Sequence, residues 1–498
     1  MHPTQTPPEI TSIEQARGVV HGLFQQLQEA HWRVAQLEKQ LYGVSSERQT
    51  QDTLSNEQGL FSLFPAPAQP PATTDVLVPT AEENSPKRAR RQPAARVLET
   101  VTERIEPAEK VCAHCGQEKC EIGQERSERY EYVPAKIVRH EIIRPKLACP
   151  CGQAGVSIAP LPPAVVAQGQ PGASLLAHVA LTKFADHVPL HRQQQQLARL
   201  GVHFPKSTLC DWVEQTAVAL QPIAREIKRQ LWQSDYLQVD ETPVRVQDPD
   251  VCGKCATGWL WVLAAPGGDV LFEFHPGRGK EFARALLGPF QGYLQRDGYG
   301  VYGSLARDHP QLIAVGCWAH VRRKFVEALE DQSELATPVV NEIRKLYLVE
   351  RHARNEGLTP VQRRELRAQI SLPILTALQP ALESLREKVL PQSPVGKAAK
   401  YCLSEWAALN RYLEDGRLEI DNNLTENAIR PSAIGKKNWL FIGHPDAGWR
   451  SAVLYSILGS CKRRGLEPWD YLRDVLARLP GMKQSELASV LPAHWKPA

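Results

Sequence analysis

Carboxylates are the residues here whose types and placement could do chemistry. The stretch Tyr236-Leu237-Gln238-Val239-Asp240-Glu241-Thr242 alternates apolar and polar residues. That puts Leu237 and Val239 on one side of a strand and Gln238 and Asp240 on the other. A carboxylate closing a half-buried strand is costly unless something pairs with it. Either the strand end meets solvent there, or Asp240 is a metal ligand with partners elsewhere. Asp297, in Arg296-Asp297-Gly298-Tyr299, closes a second strand-like run, and Glu426 lies in a later helical segment. Three carboxylates converging on two divalent cations make a phosphoryl-transfer site. Hard oxygen ligands suit magnesium or manganese, and two such ions about 4 Å apart activate an attacking oxygen and stabilise a leaving one.

The third acid has a competing explanation. Asn423-Leu424-Thr425-Glu426 also fits a capping box, in which Glu426 merely satisfies a helix start, and Asp421 could serve as the cap itself. Arg430 follows Glu426 by one turn, with Lys436 and Lys437 beyond Pro431, as suits a site that holds a DNA phosphate beside metal. In Cys317-Trp318-Ala319-His320-Val321-Arg322-Arg323-Lys324-Phe325, His320 either approaches the metal site or a phosphate, or caps its helix. Arg322, Arg323 and Lys324 are expected to face DNA. Cys252 and Cys255 form a lone pair without two further ligands and read as loop thiols.

The elements that must position these residues form a run of short strands. Residues 236–240, 259–265 and 270–275 read as three strands, with Pro266-Gly267-Gly268 turning between the last two. A helix at 280–287, a strand at 292–296, a short helix near 301–307, a strand at 312–317 and a basic helix at 321–329 follow. This is the element order of the ribonuclease H-like fold, whose first three strands form an antiparallel meander and whose next two run parallel to the first. The ends of the first and fourth strands are then neighbours, which pairs Asp240 with Asp297. Glu241 points to the other face and is not expected to join them.

At 498 residues the chain is too long for a single core. Its net charge of +4 makes any nucleic-acid surface local. No charged-then-apolar leader opens it and no apolar run approaches a membrane span, so a soluble protein of a reducing compartment is expected. Ile13, Ala16, Val20, Leu23, Leu27, Ala30, Val34, Leu37 and Leu41 recur in steps of three and four. That heptad seam predicts a coiled-coil helix over 13–43 and a dimer, a lone amphipathic helix being the alternative. Residues 44–108 read as a disordered linker containing Lys87, Arg88, Arg90 and Arg91.

Cys112/Cys115 and Cys149/Cys151 form two knuckles that could supply the four ligands of structural zinc within 109–155. The alternative is free thiols in two turns, and Cys120, His114 and His140 are possible substitutes. Residues 129–144 suggest a small β-ribbon. Helices at 174–187, 190–200 and 207–220, the last with Ser207 as N-cap, have a helix-turn-helix rhythm within a 170–225 module. Contact with DNA would place Lys206 and Thr208 at the start of its third helix on the nucleic acid; ordinary helical packing is the alternative. The core's first part spans 232–330. A helical insertion at 331–396, broken at Pro360, Pro373 and Pro380, separates it from a second part at 397–447. The second part opens with a helix at 397–412, and 448–498 is helical.

Together these motifs resemble the DDE transposases of the insertion-sequence-66 family. The resemblance rests on the heptad helix ending in Leu41-Tyr42-Gly43-Val44-Ser45-Ser46-Glu47, the paired cysteines and Val239-Asp240-Glu241-Thr242-Pro243. It rests further on Arg296 to Tyr299, Cys317 to Phe325, and Asp421-Asn422-Asn423 through Glu426 to Arg430-Pro431. It covers nearly the whole chain. It implies catalysis by Asp240, Asp297 and Glu426 with two Mg2+ or Mn2+ ions, cutting element ends and joining 3′ hydroxyls to target DNA. The implied setting is the bacterial cytoplasm, associated with the nucleoid when on DNA, with small accessory proteins of the same element as partners. Two rivals are a catalytically inactive DNA-binding regulator derived from a transposase and a nuclease that only hydrolyses. All three acids stand in their motifs, which favours the enzyme.

Overall fold

In the computed structural model, residues 136–147, 157–167, 169, 171–248, 250 and 255–497 are described. The expected coiled coil, the expected linker and the four cysteines expected to hold zinc lie outside them. Two short strands, β1 (Lys146–Leu147) and β2 (Ser157–Ile158), pair antiparallel on either side of the second cysteine knuckle.

Three helices follow: α1 (Ala173–Phe184), α2 (Leu190–Arg199) and α3 (Lys206–Leu231). The third is longer than its sequence pattern suggested. It runs through Pro222 because Leu220, Ile223, Ala224, Ile227 and Leu231 continue its buried stripe. Its N-cap is Pro205, so Ser207 lies in the first turn instead of capping it.

A five-stranded sheet has the order β5-β4-β3-β6-β7. Strands β3 (Tyr236–Gln247), β4 (Cys255–Ala264) and β5 (Val270–His275) form an antiparallel meander. After α4 (Lys280–Leu287), β6 (Gly292–Gln295) pairs parallel to β3. After α5 (Gly300–Asp308), β7 (Leu312–Val315) pairs parallel to β6.

Strand β4 begins four residues earlier than expected and β7 ends two earlier, but β3 departs furthest. Asp240 does not end β3, which continues to Gln247 because Val244 and Val246 stay buried while Pro243, Arg245 and Gln247 face out. The parallel pairing with β6 does stop, at Gln238 opposite Gln295. Asp240 therefore stands where β3 runs beyond its neighbour, and Pro243 falls where that side of β3 is an edge, a position that tolerates its missing N–H.

Helix α6 (Trp318–Asn355) leaves β7 and kinks at Gln332 (φ −138°, ψ 56°), where the helical insertion begins. It is followed by α7 (Pro360–Leu366), a π-helical turn at Arg367–Ser371, α8 (Leu372–Lys388) and α9 (Pro394–Ser404). Pro360 and Pro373 sit in first turns, but Pro380 lies inside α8 and breaks nothing. The helix expected over 397–412 is interrupted at Glu405, after which α10 (Trp406–Asn410) begins.

Arg367 and Glu350 are fully buried against each other. The guanidinium also donates to the carbonyls of Tyr412, Asp415 and Leu418, tying the insertion to the segment that leads back to the sheet. Helices α11 (Asn423–Trp439), α12 (Gly448–Arg463) and α13 (Pro468–Arg478) complete the chain.

The hydroxyls of Ser456 and Ser460 on α12 accept the outward N–H groups of Phe272 and Val270 at 2.7 and 3.1 Å. The edge strand β5 is thereby covered. One buried cluster joins α1–α3, the sheet, α12 and α13, and a second joins β7, α6 and the insertion. No described helix is long and apolar enough to cross a membrane.

Candidate active site

Asp240 is the anchor. Its Oδ1 accepts the Glu241 N–H at 2.8 Å. Burial pushes its carboxyl up to about 8, against that hydrogen bond and with the charges of Glu241, Asp297 and Glu426 adding to the rise. Asp297 follows β6 and folds into a turn in which its Oδ1 accepts the Tyr299 N–H at 2.9 Å. Between them Gly298 lies against Tyr401; a Cβ there would come 2.2 Å from the ring, so only glycine fits. Glu241 faces elsewhere, as its strand parity predicts. It accepts from Tyr302 Oη at 2.6 Å and from Arg278, whose guanidinium lies 3.7 Å over the Tyr299 ring. That stack holds the Asp297 turn from behind.

Glu426 does not act as a capping residue. The N-cap of α11 is Asn422, and the Asp421 carboxylate accepts both the backbone N–H and the side-chain amide of Asn423, at 3.1 and 2.7 Å. Asp421 therefore does the local work and Glu426 is released from it. Glu426 Oε1 is buried without a hydrogen-bond partner, 3.9 Å from His320 Nε2, and Oε2 lies 3.6 Å from Arg323. His320 stands beside the acid in the first turn of α6, and burial holds its pKa below the usual histidine range, with Glu426 pulling the other way. The Cys317 thiol, pushed up to about 12 by burial, stays protonated and accepts the Asn422 N–H at 3.3 Å.

A polar network that the sequence pattern did not reveal holds this acid to the sheet. Gln295 is fully buried; its amide nitrogen donates to the carbonyls of Gly316 and Glu419 at 3.1 and 2.7 Å. Its oxygen accepts from Tyr236 Oη and from Gln238, which in turn accepts the Thr425 hydroxyl at 3.0 Å. Tyr236 Oη also accepts the Glu419 N–H, and the Asn422 amide donates to the Val239 carbonyl, each at 3.0 Å. Residues 419–425 are thus fastened to β3 and β6 immediately before Glu426. The available signal was two glutamines inside strands otherwise lined by apolar residues.

The three acids share one electrostatic neighbourhood without forming a closed cage. Among the described residues no three His, Cys, Asp or Glu side chains stand grouped as an ion-holding set. Their chemistry nevertheless fits a hard cation: the donors are all oxygens, and one of them is buried without a hydrogen bond.

The expected DNA contacts divide. Arg430 and Lys437 are exposed on α11, and Lys206 is exposed at the start of α3 beside the half-buried Thr208. Lys436 is instead an internal tie, donating to Thr242 Oγ1 at 3.1 Å and to the Pro243 carbonyl at 2.9 Å. Arg323 turns toward Glu426, Lys324 lies 4.7 Å over the Tyr401 ring, and Arg322 is half-buried. Lys324 is nevertheless exposed and the Arg323 side chain is 40% exposed. Cys255 is a free, exposed thiol at the start of β4.

Comparison with known proteins agrees with this arrangement of motifs. The sequence profile described as "Transposase IS66 family" matches residues 168–450. That described as "zinc-finger binding domain of transposase IS66" matches 109–152, and "IS66 C-terminal element" matches 456–493. Among curated relatives, the uncharacterized protein y4qI of Sinorhizobium fredii is 36% identical over 84% of this chain and 80% of its own length. The uncharacterized proteins y4jD and y4hP of the same organism are 33% and 28% identical. They cover 79% and 94% of this chain, and 79% and 88% of their own lengths.

Proposed function

The chain belongs to the insertion-sequence-66 transposase family, and we propose that it cuts DNA at the ends of its own element and joins the freed 3′ hydroxyls to target DNA. The observation that carries this reading is that Asp297 and Glu426, from distant segments, both act electrostatically on the buried Asp240 carboxyl, with a buried Glu426 oxygen that makes no hydrogen bond. The mixed sheet, with its meander followed by two parallel strands, supports a ribonuclease H-like core.

Asp240, Asp297 and Glu426 would hold magnesium or manganese, which supplies charge to activate the attacking oxygen and stabilise the leaving one. The chain's own residues do the rest. The Arg278–Glu241 pair and the Gly298 turn orient Asp297, and the glutamine network keeps Glu426 against β3. Exposed Arg430, Lys437 and Lys206 bind backbone phosphates. The four cysteines Cys112, Cys115, Cys149 and Cys151 hold a structural zinc in the segment that matches the zinc-finger profile. The heptad seam pairs two copies so that two DNA ends are held together, and accessory proteins of the element assist in the cytoplasm.

The test uses purified full-length protein with duplexes carrying the inverted repeats that flank its coding region. Magnesium-dependent cleavage and joining, abolished by chelation and absent on scrambled ends, is expected. Binding without cleavage under those conditions would favour the inactive regulator instead.

A further inference from the structure

Helix α11 ends in a strained, exposed apolar turn. Leu440 has φ 69° and ψ −52°, and the Phe441 N–H donates to the Trp439 carbonyl at 2.9 Å. This is a γ-turn, a conformation that a bulky residue adopts only when its surroundings impose it. Both sides impose it. The Leu440 N–H is still bound to the Lys436 carbonyl. Two residues later Ile442 enters the sheet edge, donating to the Arg245 carbonyl at 2.9 Å and accepting the Gln247 N–H at 2.8 Å. The chain must reverse within that gap.

A glycine there would relieve the strain and a polar residue would relieve the exposure. The sequence instead has Leu440, 61% exposed, followed by Phe441, 40% exposed. Exposed Arg245, Lys437 and Arg430 lie on the elements that converge at this turn. The acidic group beyond it, Asp446, is within 3.4 Å of His444.

We propose that Leu440 and Phe441 are a wedge that enters the base stack of a bound DNA end. This rests on the DNA-cutting reading above. Two apolar side chains are too small a surface for a stable protein partner. They suit the pattern in which leucine or phenylalanine is pushed between base steps while neighbouring cations hold the phosphates. The distance along the chain fixes where this happens. Fourteen residues of helix separate Glu426 from Leu440, and six residues of strand separate Asp240 from Val246, the bridge partner of Ile442. Each path spans about 20 Å. At 3.4 Å per base pair, the wedge meets the duplex about six base pairs from the cut phosphate.

The experiment places 2-aminopurine at successive steps of an end duplex and reads its fluorescence on binding full-length protein. Wild type should raise the signal near the sixth base pair. Phe441→Ala should lose the rise while its Kd stays within about tenfold. Leu440→Gly should lose it too, while raising the unfolding temperature of the free protein because the strained turn relaxes. An equal rise with Phe441→Ala, or no rise with bound wild type, would overturn the wedge and leave the transposase reading standing. A change of oligomeric state in Phe441→Ala without any fluorescence change would mark the turn as a protein interface and also overturn it. Failure of wild type to bind end duplexes at all would remove both the wedge and the reading beneath it.

Discussion

Replacing Asp240 by Asn should stabilise the metal-free protein, and by an amount that grows with pH. A carboxyl that ordinarily titrates near 3.8 is pushed up to about 8 here, first by burial and then by the charges of Glu241, Asp297 and Glu426. At 1.36 kcal/mol per pH unit, its ionisation in the folded state costs at most about 6 kcal/mol. Interior sites behave as though their dielectric were nearer 20 than 4, so about 2–3 kcal/mol is the figure to expect. The sign follows from proton binding. The folded state holds the proton more tightly than the unfolded state, so stability is fully present below about pH 4 and is lost as pH rises to about 8. Asparagine keeps the acceptor for the Glu241 N–H and removes the charge. Thermal unfolding in chelator from pH 5 to 9 should show the variant gaining roughly 5 °C on wild type across that range. Magnesium at pH 8 should raise the unfolding temperature of wild type and not of Asp240→Asn. A difference independent of pH, or a variant less stable throughout, would show that the Asp240 charge does not destabilise the fold.

Gln295→Leu should cost about 2–4 kcal/mol by thermal unfolding, because buried groups on Tyr236, Gln238, Gly316 and Glu419 lose their partner. Well below its unfolding temperature it should also cut more slowly than wild type, since Glu426 is no longer held to the sheet. For DNA binding, Arg430→Ala and Lys437→Ala should each lower the slope of log affinity against log salt by about 0.9 for every phosphate left unneutralised. Lys436→Ala, an internal tie to Thr242 and Pro243, should leave that slope unchanged and lower the unfolding temperature. Cys112→Ser should reduce the zinc content found by elemental analysis, and an unchanged content would remove the finger.

What the sequence made legible was periodic or local. Strand β5 and helix α4 begin and end where alternation and helical spacing put them, and the strand order brings the Asp240 and Asp297 segments together. The end of β3 was hidden because Thr242-Pro243 reads as a break. The β4 hairpin carries the strand through it, on an edge where proline does little harm. Glu426 was ambiguous for a similar reason: a capping-box spacing is the same whether or not the glutamate folds back. Only the Asp421–Asn423 hydrogen bonds decide it. The glutamine network and the Glu350–Arg367 pair join residues far apart in the chain, which no spacing rule reaches. Lys436 illustrates the limit for charges, since a lysine beside another lysine says nothing about which one turns inward.

Single-turnover cleavage of end duplexes by Asp297→Asn and Glu426→Gln, with gel-shift binding measured on the same preparations, decides whether the three acids form one catalytic site. Both variants should lose cleavage by about a thousandfold or more while binding DNA nearly as well as wild type. Near wild-type cutting by either one would contradict the assignment of the three acids to one site.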